Sequence, residues 1–171
     1  YTGPTGGSEP VSELLPPAID QAGIDFVFSG HDHSYARTYP ITNHELASDA
    51  DVEEMEEEDY SGYNGNGVVY YICGSTGEKS YAVVNNPQFH FARADQEFSH
   101  GIYLTVKADD ESITVTTHDG DTVYDSFTKL SDCAGGNHQY TLHENGKLFC
   151  NKCQRRFDAE TTGYTGFMTD S

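Results

Sequence analysis

Basic residues are scarce in this chain: 9 Lys and Arg stand against 28 Asp and Glu, a formal net charge of −19 at pH 7 over 171 residues. A surface of that sign excludes nucleic-acid binding through a basic patch, which needs cations to release counterions from phosphates. Tryptophan is absent, and apolar runs such as Phe26-Val27-Phe28 and Val68-Val69-Tyr70-Tyr71-Ile72 stay short. A membrane-spanning helix needs about 20 apolar residues, so none is expected here. Hydrophobic residues make up 36% of the chain, enough for a compact core but not one that runs its whole length. An initial Met and a charged-then-apolar leader are also missing, so any targeting segment is expected to have been removed or to lie upstream of Tyr1.

What is present begins with helix and strand signals. A short helix is predicted from Pro17 to Ala22, because Pro is tolerated in a first turn and Pro16-Pro17 should break anything longer. Gly23 marks its end, and Ile24 to Ser29 reads as a buried strand that stops at Gly30, an α/β signature. Residues 45–59 hold nine acids and no Lys or Arg, which reads as a solvated, self-repelling loop without the alternating spacing of a calcium loop. From Gly67 the pattern turns to strands at Val68 to Cys73, Gly101 to Lys107, Ser112 to His118 and Thr122 to Leu130, with hairpin-type turns between them. Ile113 and Val115 alternate with Thr114 and Thr116, the period of a half-buried antiparallel strand.

After Leu130 the composition shifts to Cys and His. Cys150-Asn151-Lys152-Cys153, with Cys133 and His138 before it, suits one structural zinc of Cys3His type, His143 competing for the fourth place. A disulfide is the competing reading for an extracellular chain. Cys73, expected as a buried thiol in its strand, would leave an odd number of cysteines in this small unit. Residues 131–157 form a zinc-ribbon-like unit too small to fold without such a staple, and 158–171, rich in Thr and Gly, read as a flexible tail or linker.

The residues that carry chemistry are Gly30-His31-Asp32-His33-Ser34-Tyr35-Ala36-Arg37, directly after an apolar strand. In open α/β sheets ligands bind beyond the carboxyl ends of strands, and two imidazoles one residue apart in a loop can address two different metal ions. Gly30 is expected to permit the sharp turn out of the strand. This run resembles the last metal-binding motif of the calcineurin-like metallophosphoesterases, in the Gly-His-x-His-x-Tyr-x-Arg form of the purple acid phosphatase branch. Gly67 to Ile72 with Gly74, His100 to Val106, and Val123 to Phe127 are similar to the strands that follow it in that family, so the resemblance covers residues 1–130.

The resemblance implies an α/β fold: the C-terminal part of a four-layer α/β/β/α sandwich with antiparallel closing strands, followed by the small Cys/His-rich appendage. It also implies a binuclear metal-dependent phosphoesterase hydrolysing phosphate mono- or diesters. Two divalent or trivalent ions (Fe, Zn or Mn) about 3.5–4 Å apart would clamp the phosphate and lower the pKa of a bound water. By the motif, His31 would bind one metal and His33 the other. Tyr35 and Arg37 would stand behind the ligands or face the substrate, the Arg fork suiting a phosphate or a carboxylate equally well. Asp32 would be structural. The family's Asp-x-His, Gly-Asp, Gly-Asn-His and further His motifs are not in this sequence, and His44, His90, His100 and His118 are read as surface or turn residues. The chain is therefore expected to be the C-terminal part of a longer enzyme, secreted or cell-surface, and inactive in isolation. The alternative is a noncatalytic binding or surface-attachment module, its appendage contacting a cell-surface partner.

Overall fold

The computed structural model describes residues 9–57, 60, 62–74, 77, 79–83, 87–109, 111–131, 139–142, 147–151 and 156–158, without side chains for 9–12 and 156–158. Helix α1 spans Glu9–Gln21 and contains both Pro16 and Pro17. It is longer than the sequence predicts. Each interior proline removes a backbone donor at a cost of roughly 3 kcal/mol or more, but Pro16 is fully buried and Ile19 packs with Ile41, Val68 and Tyr70. Tertiary burial here outweighs local propensity. The helix does end at Gly23 as expected, where a positive φ of 65° lets the Ile24 N–H turn back to the Ile19 carbonyl.

Four strands form the first sheet: β1 (Phe26–Ser29), β2 (Tyr35–Thr38), β5 (Val69–Cys73) and β6 (Phe91–Asp95), in the order β1-β5-β2-β6. β1 runs parallel to β5, and the other neighbours are antiparallel. The short β3 (Ile41–Thr42) and β4 (Glu45–Leu46) pair beside it. The second sheet is an antiparallel meander of β7 (Ile102–Ala108), β8 (Ser112–Asp119) and β9 (Thr122–Leu130). The two sheets face each other across Tyr35, Val69 and Tyr71 on one side and Ile102, Val115 and Phe127 on the other, with Tyr63 joining them. A third antiparallel sheet, β10 (Tyr140–Leu142), β11 (Lys147–Cys150) and β12 (Arg156–Asp158), follows.

The described residues form mixed sheets with few helices, an arrangement only loosely consistent with the expected four-layer α/β/β/α sandwich. The pair of facing sheets is present, whereas α1 is the only helix longer than one turn among the described residues. β1 is the outer strand of its sheet, and Phe28 on it is 45% exposed while stacking on Tyr71. The acidic run is also more ordered than a plain loop, holding β4 and a one-turn helix α2 (Val52–Met55). Asp51 caps α2 by accepting the Glu53 and Glu54 N–H groups, and those two acids lie at the positive end of the turn. Among the described residues no helix is long and apolar enough to cross a membrane.

Candidate functional site

The chain leaves the carboxyl end of β1 at Ser29, whose hydroxyl donates to the Tyr71 carbonyl at 2.8 Å. The turn that follows is not made by Gly30. The left-handed residue is His31, with φ of 79°, while a side chain at Gly30 would meet nothing within 4 Å. A non-glycine residue in that conformation costs about 1–2 kcal/mol, a strain that recurs at functional positions. His31 is exposed and His33 half-buried. The His33 ring packs on Tyr81 at 5.0 Å between centroids, and its carbonyl accepts the Tyr81 N–H at 3.0 Å. Its Nδ1 is shielded from solvent and meets no hydrogen-bond partner among the described residues. In the tautomer protonated at Nε2, a nitrogen so placed offers its lone pair, and in that form the chemistry of the two imidazoles fits a metal of the zinc, iron or manganese kind. No group of three or more His, Cys, Asp or Glu stands ready to hold an ion among the described residues.

Two residues beyond His33 the environment reverses. All four residues of β2 are buried. Tyr35 donates to Asp125 Oδ2 at 2.7 Å and accepts from the Thr117 hydroxyl at 3.0 Å. Arg37 grips the same carboxylate with Nε at 2.6 Å and Nη2 at 3.0 Å, its guanidinium lying 5.1 Å from the Phe127 ring centre. Burial, followed by the Asp125 charge, drives the Tyr35 phenol far above its ordinary value. For Arg37, burial alone would lower the pKa, but the hydrogen bonds and charge of Asp125 outweigh it and hold the guanidinium charged. Of the two partners the sequence leaves open for Arg37, the structure supplies the carboxylate. Tyr35 and Arg37 tie β2 of one sheet to β8 and β9 of the other, below the loop that carries His31 and His33.

The remaining histidines lie apart from this loop. His44 and His90 occupy left-handed turn positions, and His90 Nε2 lies 3.9 Å from Glu45 Oε2. His100 sits 3.7 Å from Asp119 at the surface, and His118 stacks on Tyr103 at 4.7 Å. Cys73 is a half-buried thiol whose pKa burial raises. Cys150 is fully buried at the end of β11, while Cys133, His138, His143 and Cys153, the other residues of the expected zinc site, lie outside the described residues.

Sequence reasoning did not single out Asp125, Thr117, Tyr81 or Lys79. A signal existed for the first: Asp125 shares strand parity with Phe127 and Lys129, so an acid falls on the core side of β9, where only a buried cation would tolerate it. Nothing in the sequence ties Tyr81 to His33, because they meet through a long excursion.

No family model matches the chain, and no curated protein matches it either. Among solved structures, purple acid phosphatase PPD1 from yellow lupin (Lupinus luteus) seeds is similar, with a TM-score of 0.51 and 22% identity over 72% of this chain and 20% of that one. At that identity the likeness is one of fold. This chain spans about a fifth of the length of that enzyme.

Proposed function

We propose that this chain is the C-terminal, metal-facing part of a binuclear phosphoesterase of the purple acid phosphatase type, acting on phosphate mono- or diesters. The observation that carries the reading is His33, held in the loop beyond the carboxyl end of a parallel strand with a solvent-shielded Nδ1 that has no partner among the described residues, two residues after a His31 kept in a left-handed conformation. The fold likeness to a phosphatase supports it. His31 and His33 would each ligate one metal, and bound ions would supply a polarised phosphoryl oxygen and an activated water. This chain's part is to aim the two imidazoles. β1 fixes where the loop starts, the Tyr81 ring and its N–H fix His33, and the Arg37–Asp125 pair anchors the strand that follows. The other ligands would come from sequence outside this chain, so the isolated chain is inactive.

Zinc titration of isotope-labelled chain, read residue by residue by NMR, tests the reading. The ring signals of His31 and His33 should move with zinc, and the response should vanish in His33→Ala with the sheet resonances unchanged. Zinc uptake that leaves both rings unmoved would overturn the metal assignment, and hydrolysis of an aryl phosphate by the chain alone would overturn its dependence on a missing half.

A further inference from the structure

Arg37, for which the sequence left phosphate and carboxylate equally open, is locked to Asp125, and Lys129 is equally occupied, with Nζ 2.7 Å from Asp25 Oδ1 and 2.6 Å from the Gly67 carbonyl. Neither cation is free to meet a phosphate, and the positive side chain that shares a cleft with His33 is Lys79. His33 lines a cleft of about 260 Å³ together with Lys79, Ser80, Gln96, Glu97 and Phe98. Lys79 is exposed, has no carboxylate partner among the described residues, and holds its ammonium 4.8 Å from the centre of the Tyr81 ring. That same ring packs on His33. Lys79, Tyr81 and His33 thus form one connected stack at the cleft wall. The volume lies just below the roughly 300–1,000 Å³ usual for small-molecule sites, a size for a phosphate-sized group more than for a large ligand.

We propose that Lys79 is the anion-binding residue of this cleft, holding the phosphoryl group of an ester beside His33; the proposal rests on the phosphoesterase reading above. A lysine binds phosphate as a point charge rather than as a fork, so it needs a fixed position more than a fixed orientation. The face of Tyr81 supplies that position through the attraction of its ring for the ammonium. Glu97 on the same cleft is the opposing term. Its carboxylate repels an incoming anion, which makes the Lys79 charge decisive in a chain of net charge −19.

The test is a titration of the labelled 171-residue chain with inorganic phosphate at constant ionic strength, following the His33 ring and the Tyr81 amide. Wild type and Lys79→Arg should show saturable shifts at both. Lys79→Gln should weaken binding at least about tenfold, and Glu97→Gln should strengthen it. Equal binding by Lys79→Gln, or no shift in wild type, would overturn the proposal. Zinc titration of the same sample keeps the two readings separate. Histidine rings that respond to zinc but not to phosphate sink the role of Lys79 and leave the metal reading standing. Rings that respond to neither sink both.

Discussion

His33 and Tyr35 are two residues apart and live in opposite chemical worlds. The loop ending at His33 leaves His31 exposed in a left-handed conformation and keeps an imidazole nitrogen unsatisfied. The strand beginning at Tyr35 is buried throughout, and the polar groups of its Tyr35 and Arg37 side chains converge on Asp125. The difference teaches that a single short run joins two environments, a strained loop with an imidazole nitrogen that has no partner among the described residues and a buried strand that holds two sheets together. Stability belongs to the second half and strain to the first.

The harshest way to break the comparison is alkali. Burial, first of all, raises Tyr35 and Tyr71 far above the ordinary tyrosine value and pushes Tyr39, Tyr60 and Tyr124 up to about 12. A folded-state pKa above the unfolded one contributes stability that is fully present below the unfolded value near 10 and is lost as pH rises through the folded value. Urea midpoints should therefore hold steady from neutrality to about pH 9 and collapse between about pH 10 and 12. A midpoint already falling by neutral pH would contradict the buried network as its source.

Next in size is Asp125→Ala, which strands a buried guanidinium and should cost about 3–5 kcal/mol in chemical denaturation. Tyr35→Phe keeps the ring and removes one donor from Asp125 and one acceptor from Thr117, so about 1–3 kcal/mol is expected. Both changes should leave zinc-induced shifts at His31 intact wherever the chain remains folded. The smallest effect comes from the loop and has the opposite sign. His31→Gly relieves the left-handed strain and should stabilise the fold by up to about 1 kcal/mol while abolishing the zinc response at position 31. A destabilising His31→Gly would mean that the loop, too, is structural, and the contrast between the halves would disappear.

Five of the twelve described strands were legible because their apolar residues are local and continuous. β1 and β5 read as short buried runs, which holds for β5 but not for β1, whose edge position leaves every residue partly or largely exposed, and β7, β8 and β9 read as runs closed by turn residues. β2 was not legible. Its four residues are buried without alternation, and Arg37 in the middle looks like a surface residue until Asp125, 88 positions away, is brought to it. α1 exceeded its expected length because the burial of Pro16 and Ile19 is invisible to a local proline rule. In the site, His31 and His33 were singled out through the resemblance of the whole Gly30–Arg37 run to a family motif, because two histidines one residue apart are weak evidence alone, whereas the left-handed φ on His31 and the Tyr81 contact exist only in the folded chain.

The open outer edge of β1 also has a colloidal consequence. Among the described residues β1 pairs with β5 alone and carries a half-exposed Phe28, the kind of edge that can template another chain, and a net charge of −19 opposes the approach of a second copy. Added salt shortens the reach of that repulsion to about 10 Å at 0.1 M without touching the sticky edge. Raising the ionic strength is therefore expected to lower the concentration at which this chain self-associates.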